Sequence, residues 1–331
     1  MLEIAKKGSF HRLRGISSHS MFYRLCFIAL ASVVFASFLP AAENSFGVQA
    51  YTIIDNETGH VLESANGTKK RQVASLTKIA MAMVVLDWCQ STKHDVSEMA
   101  AVPEEIAQME GSNPVGLTPG DFVSVRDLLY CSLLQSDNAA AYTLAAHVGR
   151  SLKATSTKAG ELGPVDTFVA QMNALARSLG MEQTLFLNPH GLEPRKGVLP
   201  YSTAENMAML SRYAMADKGF RFYVSQKERK VAIVRALQPQ EFLLRNTNEL
   251  LGQEGIDGVK TGRNKAAGEC LIISSARAPM TREEGGKTYV TPRRVTVVLL
   301  GAQERFAAGR QLLQRAWSLE EDWSSHPRPQ N

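Results

Sequence analysis

The chain is poor in cysteine, with four in 331 residues, no C-x-x-C pair and no metal-ligand spacing among them. Cys26 lies near the N-terminus, which leaves Cys89, Cys131 and Cys270 far apart in sequence, an odd number that allows at most one disulfide. Buried, reduced thiols are therefore the expectation, and no zinc site is arguable. There is no internal repeat and no low-complexity linker. Positive charge is scarce once its location is considered. The net charge is +5, but Lys6, Lys7, Arg12, Arg14 and Arg24 stand against a single acid, Glu3, so removing the first 42 residues leaves about +1. That is too little to support nucleic-acid binding. What remains, 44 % hydrophobic and 21 % charged, is ordinary globular material for one large domain or two small ones.

The basic N-terminal residues precede "LCFIALASVVFASFL", an uncharged apolar run of roughly 15 residues, short for a membrane span. A basic region followed by such a run is the layout of a secretory leader, here residues 1–42, with small residues at Ala36 and Ala41-Ala42 before candidate cleavage points. Met21 opens a leader of more usual length and is a candidate true start. An uncleaved anchor is the alternative. In both cases the domain is expected outside the cytoplasm, in the periplasm or cell envelope.

Beyond the leader, "FGVQAYTIIDNETGHVLES" reads as two strands joined by a turn at Gly59, and a helix is expected from about Ser75 to Cys89. Residues 96–220 read as mainly helical, with Ser124 capping "SVRDLLYCSLLQS" and a Ser/Thr cap opening "STAENMAMLSRYAMADKG", which is expected to end at Gly219. Strand signals return at "KVAIVRAL" and are clearest in "AGECLIISSA" and "RRVTVVLLGA", with "REEGGKTYVTP" between them reading as a long hairpin loop. A helix through Trp317 closes the domain, expected to span 43–318, and a short polar tail, 319–331, follows. The order predicts an α+β fold: a sheet assembled from both chain ends around an inserted helical lobe, with a cleft between them.

The chemistry begins at "ASLTK". Ser75 and Lys78 are three apart, on one face of a helix, and the lysine leans toward the side the apolar residues would bury. Ser-x-x-Lys alone is weak, since about one match is expected by chance in a chain of this length. Two further motifs follow in order: Ser136-Asp137-Asn138, and Lys260-Thr261-Gly262 beside a strand start. S-x-x-K, S-D-N and K-T-G in this order form the set shared by class A β-lactamases and penicillin-binding proteins. Singly, each residue has a plain alternative as a helix-end serine or a solvated cation; jointly, the three ordered motifs outweigh it.

A serine hydroxyl needs a base, and Lys78 can serve only when neutral, a state favoured by burial and by a second cation such as Lys260. Ser136 is the candidate relay for the proton that the leaving amine requires. Asn138 can donate to a substrate carbonyl and hold the lysine. Lys260 and Thr261 offer a cation and a hydroxyl to a substrate carboxylate. His190 in "NPHGL" is read as a turn residue rather than a base, and Met81, Met83, Met99 and Met109 as core filling.

Through "AYTIIDNETGHVLES", "VSVRDLLYCSLLQSDNAAAYTLA", "FLNPHGLE", "YSTAENMA", "GIDGVKTGRNKAAGECLIISSA" and "VVLLGAQERFAAGRQLL", from about residue 46 to 317, the chain resembles the D-alanyl-D-alanine carboxypeptidases of the low-molecular-mass penicillin-binding proteins. The resemblance implies a β-lactamase/transpeptidase-like fold and acylation of Ser75 by peptidoglycan stem peptides ending in D-Ala-D-Ala, followed by hydrolysis. It also implies β-lactam antibiotics as trapped substrate mimics, and no cofactor. It implies that the backbone N–H of Arg263 joins that of Ser75 in holding the oxyanion, and that Arg305 joins Lys260, Thr261 and Gly262 in substrate binding. An arginine after K-T-G is unusual and bears on substrate preference. No Glu-x-x-Leu-Asn segment occurs between Asn138 and Lys260, so fast β-lactam hydrolysis is not expected. Many carboxypeptidases of this kind carry a following β-rich domain and a terminal amphipathic helix, neither of which is read here. A DD-endopeptidase that cuts peptide cross-links stays open as an alternative, as does a non-catalytic penicillin-binding module.

Overall fold

The computed structural model describes residues 45–155, 162–194 and 196–325; the leader read from the sequence lies outside them. The chain divides into Met1–Ala42 and Glu43–Asn331, and everything below concerns the second unit.

Five antiparallel strands form the main sheet: β1 (Ala50–Asp55), β2 (Val61–Ala65), β7 (Ile256–Asn264), β8 (Gly268–Glu284) and β9 (Lys287–Ala302), in the order β2-β1-β9-β8-β7. The sheet is thus built from both ends of the chain, as the sequence implied. Both of its faces are covered. Along each strand alternate residues point to opposite sides, so Tyr51, Ile53, Leu271, Ile273, Val297 and Leu299 pack with Leu312, Leu313, Ala316 and Trp317 of the last helix, α7 (Arg305–Ser325). Ala50, Ile54, Cys270, Ile272, Val298 and Leu300 face the helical lobe instead. Burial on two sides explains why "VTVVLL" is a continuous apolar run rather than an alternating one.

The lobe is built around α1 (Lys78–Thr92), whose residues Ile79 to Val85 are all buried. A helix apolar on every side must be surrounded. It packs against α2 (Val125–Leu134), α3 (Asn138–Thr155), α4 (Pro164–Ser178), α5 (Ala204–Ala216) and α6 (Lys218–Val224). Ser124 caps α2, its Oγ accepting from Asp127 N at 3.1 Å, and Thr203 caps α5 in the same way through Asn206 N at 3.0 Å.

Four readings need correction. The region 96–220 is not only helical: β3 (Met99–Ala101) and β4 (Phe122–Ser124) join β5 (Glu228–Arg235) and β6 (Gln238–Arg245) in a second sheet, order β3-β4-β5-β6. Three-residue strands are too short to show a period of two. The helix expected to reach Gly219 stops at Ala216, because Asp217 caps a new helix, its carboxylate accepting from Phe220 N at 2.7 Å. The expected long hairpin loop is mostly strand, with β8 and β9 pairing as far as Glu284 and Lys287 around the turn at Gly285-Gly286. Lastly, α7 runs through the expected tail to Ser325, and Glu320 within it is buried against Arg293.

Cys89, Cys131 and Cys270 are free and buried. Met81 and Met83 fill the core and Met109 packs on its edge, whereas Met99 is 44 % exposed and fills nothing.

Candidate active site

Ser75 does not lie on α1 but on the 3-10 turn before it, Ala74–Thr77, which Ala74 enters with a left-handed φ of 46°. In a 3-10 turn residues three apart eclipse one another, and Lys78 Nζ sits 3.1 Å from Ser75 Oγ. The serine is half-buried; Lys78 has no exposure at all. Its ammonium also donates to Asn138 Oδ1 at 2.6 Å and to the backbone carbonyl of His190 at 3.2 Å. Three donors thus meet three acceptors, the full capacity of the group. Burial lowers the Lys78 pKa to about 7, opposed by the charge of Asp137. The ammonium loses a proton near neutrality and leaves an amine lone pair beside the serine hydroxyl.

The S-D-N segment occupies the turn between α2 and α3. Ser136 is held with φ 62°, half-buried, two residues before the asparagine that grips Lys78. Asp137 is buried and points away from solvent, accepting from Ala140 N at 2.9 Å and Val115 N at 3.3 Å; burial raises its pKa. Its work is to close the first turn of α3. Asn138 N donates to Ser112 O at 2.8 Å, and a side chain at Gly111 would come within 2.5 Å of the Asn138 amide nitrogen.

The third side of the site is β7, which among the described residues is an edge strand paired with β8. A Cβ on Gly262 would lie 3.0 Å from Val73 O and 3.2 Å from Ser75 N, so the strand backbone presses directly on the turn that carries the serine. Lys260 is 1 % exposed and donates to Thr261 O at 3.1 Å. Burial, then Lys78, then Arg305 hold its pKa well below the ordinary lysine value. The sequence placed the burden of this cation pair on Lys78. In the structure burial alone depresses Lys78, and the repulsion weighs on Lys260. Arg305 opens α7 with Nη1 3.3 Å from Gly262 O, while Arg263 is exposed beside Glu269, at 3.7 Å. Of the residues read from the sequence, Ser75, Lys78 and Asn138 are joined by direct contacts. Gly262, held by Arg305, lies against the serine turn, whereas the Arg263 side chain turns to Glu269.

A family profile described as D-alanyl-D-alanine carboxypeptidase matches residues 39–282. The chain belongs to that family. It is 30 % identical over 275 residues to D-alanyl-D-alanine carboxypeptidase DacC of Escherichia coli, covering 81 % of this chain but 62 % of the relative, so it spans about three fifths of that protein's length. It is also 30 % identical over 263 residues to a D-alanyl-D-alanine endopeptidase of Pseudomonas aeruginosa, covering 76 % of this chain and 77 % of the relative. Among solved structures it is similar to the Streptomyces K15 DD-transpeptidase, with a TM-score of 0.67 and 25 % identity over 83 % of this chain and 97 % of the other.

For a member of this carboxypeptidase family, two contributors were not foreseen from the sequence. The first is the carbonyl of His190, which completes the lysine's set of acceptors. It is positioned by Asn188, whose Oδ1 accepts from His190 N and Gly191 N and whose Nδ2 donates to Leu192 O at 2.7 Å. Gly191, at φ 85°, lies so close that a Cβ there would be 2.0 Å from Ala74 O. The Asn-Pro-x-Gly composition marked a turn; nothing in it marked a carbonyl aimed at Lys78. The imidazole itself fits the turn role: burial and the nearby lysine push its pKa down to about 3, and Nδ1 accepts from Leu192 N at 3.2 Å. The second is Thr247, whose hydroxyl lies 2.6 Å from that of Thr261. Among the described residues no group of acidic, histidine or cysteine side chains is arranged to hold a metal, and no helix is long and apolar enough to cross a membrane.

Proposed function

We propose that the chain is a serine DD-peptidase that removes the terminal D-alanine from peptidoglycan stem peptides through an acyl-enzyme on Ser75. The observation that carries this reading is a fully buried lysine of pKa about 7 placed 3.1 Å from a half-exposed serine hydroxyl. Neutral Lys78 takes the Ser75 proton as Oγ attacks the carbonyl carbon of the penultimate D-alanine. A positioned base of this kind contributes about 10²- to 10⁴-fold in rate. The oxyanion is held by the backbone N–H groups of Ser75 and Arg263, and each such donor is worth about 10²- to 10³-fold. The C–N bond then breaks, the departing amine takes a proton through Ser136, and water hydrolyses the ester. Asn138 keeps Lys78 in place and donates to the substrate amide.

The terminal carboxylate is held by Lys260, Thr261 and Arg305, with Gly262 letting the strand lie close against the turn that carries Ser75. An anion there opposes the burial and the neighbouring cations that lower the Lys260 pKa, and so favours its charged form. β-lactams, which carry a carboxylate next to a strained amide, acylate the same serine and stay. The leader places the reaction outside the cytoplasm, in the periplasm or cell envelope.

A second reading, endopeptidase cleavage of D-Ala-to-diamino-acid cross-links, is favoured by the resemblance to the Pseudomonas aeruginosa endopeptidase. Both readings are tested by digesting purified muropeptides. Disappearance of pentapeptide monomers with release of D-alanine supports the carboxypeptidase, and loss of cross-linked dimers supports the endopeptidase. Ser75→Ala should abolish either. Equal activity in wild type and Ser75→Ala would refute the acyl-enzyme mechanism.

A further inference from the structure

The segment before β7 is fastened to three elements at once. Asn246 N donates to Lys227 O at 2.8 Å, and Asn246 Nδ2 donates to Val224 O at 3.1 Å and Gln226 O at 3.0 Å. Asn248 Nδ2 reaches Gly258 O at 3.2 Å, and Asn248 N donates to Asn246 Oδ1 at 2.9 Å. Between the two asparagines, Thr247 N donates to Leu134 O at 3.0 Å, the last residue of α2 and two positions before Ser136. Its half-buried hydroxyl is left facing Thr261, itself 4 % exposed, across 2.6 Å. That separation is at the short end for a hydroxyl pair.

A hydroxyl has one proton and can accept two. If Thr261 donates to Thr247, it has only lone pairs to turn toward a substrate carboxylate, and the contact is repulsive. If Thr247 donates to Thr261, the Thr261 proton is free for the carboxylate, and a hydroxyl that is already accepting is the stronger donor. A β-branched threonine, stiff at χ1 and on a backbone anchored at both neighbours, is suited to fixing that direction.

We propose that Thr247 is a positioning residue for carboxylate recognition, acting through the Thr261 hydroxyl and tying the carboxylate subsite to the turn that carries Ser136. This rests on the assignment of Thr261 to the substrate carboxylate. It deepens that assignment by placing discrimination between free and blocked C-termini partly in a residue outside the three motifs.

The test compares Thr247→Val, which keeps the shape and loses the hydroxyl, with Thr247→Ser, which keeps the hydroxyl. Acylation of Ser75 is measured with a β-lactam carrying its free carboxylate and with the methyl ester of the same compound. Wild type is measured first: absence of any acylation refutes the acyl-enzyme reading itself, independently of Thr247. Given acylation, Thr247→Val should slow reaction with the free acid about tenfold, the effect of one hydrogen bond to a charged group, and leave the ester within about twofold. Thr247→Ser should restore the preference. In a Thr261→Val background the Thr247→Val change should have no further effect, since its route is then gone. If valine prevents folding, Thr247→Ala carries the same comparison. Equal slowing of acid and ester, or an undiminished effect in the Thr261→Val background, would overturn the proposal and leave Thr247 a structural residue only.

Discussion

In the proposed mechanism Lys78 has to satisfy two opposite demands: it must be neutral to accept a proton and solvated by the protein once it has one. The acceptors at Ser75, Asn138 and His190 meet the second, and total burial meets the first. The acylation rate should therefore rise with pH through about 7, where the neutral fraction grows, and level off above it. A pH series of β-lactam acylation in stopped flow would show this, and Lys78→Arg, charged at every accessible pH, should be inactive throughout. A rate that falls between pH 6 and 8 would contradict a lysine base. Gly191 makes a second residue-scale prediction. With φ 85° and Ala74 O only 2.0 Å from where a Cβ would stand, Gly191→Ala must shift either the His190 carbonyl or the serine turn. We expect a loss of about 2–4 kcal/mol in urea denaturation, accompanied by a slower acylation that wild-type-like folding alone would not produce.

At the scale of elements, the informative departures lie where a local pattern was polar but the partner was not local. The ribbon β8–β9 carries exposed, charged residues on both strands past Arg277, so its composition read as loop; backbone pairing across a tight Gly-Gly turn made it strand. The end of α7 read as tail because it is polar. It is helix because Arg277 and Arg293 from that ribbon stack on Trp317 and Arg293 pairs with Glu320, giving the polar residues a fixed partner. Glu320 is fully buried while Arg293 keeps 17 % of its side chain exposed and reaches Glu321 as well, at 3.8 Å. Glu320→Ala should then destabilise by about 2–3 kcal/mol, below the 3–5 kcal/mol typical of a fully buried pair that loses one partner. A lowered urea midpoint with unchanged slope is the expected observation; an unaltered midpoint would mean that the pair contributes nothing.

For the whole molecule, the buried groups of the site impose a pH dependence on stability. Lys78 and Lys260 have folded pKa values below their ordinary ones, so between those values the unfolded chain binds more protons and stability rises with pH. Buried His190, folded pKa about 3, has the same sign between about 3 and its ordinary 6.5. Cys89, raised to about 11, and Tyr51, raised to about 12, act at the other end: they ionise first in the unfolded chain, and stability falls as pH climbs past their ordinary values. The melting temperature should increase from about pH 5 to about 8, where the unfolded lysines still keep their protons, and decline above about 10. Lys78→Met should flatten the rise above pH 7, where the lysine acts, and leave the acid limb set by His190; calorimetry across this range would reveal a profile peaking below pH 6 if the buried lysines were not responsible.

The sequence by itself determined the family and the outline: three short motifs in order singled out Ser75, Lys78, Ser136, Asn138, Lys260 and Thr261 as the candidate site, and apolar periodicity implied a sheet from both chain ends around a helical lobe. These are legible because each depends on residues a few positions apart, on one turn or one strand. Only the tertiary structure decided which contacts between distant segments shape the site: the His190 carbonyl on Lys78, Gly262 against the serine turn, Arg305 on Gly262 O, and Thr247 on Thr261. A backbone carbonyl has no signature in a side-chain pattern, and a glycine's need for closeness cannot be told from its use in a turn. The same holds for Lys78. Its position three residues after the serine is local, but its neutrality comes from burial by α1's neighbours, and burial is a property of the folded whole.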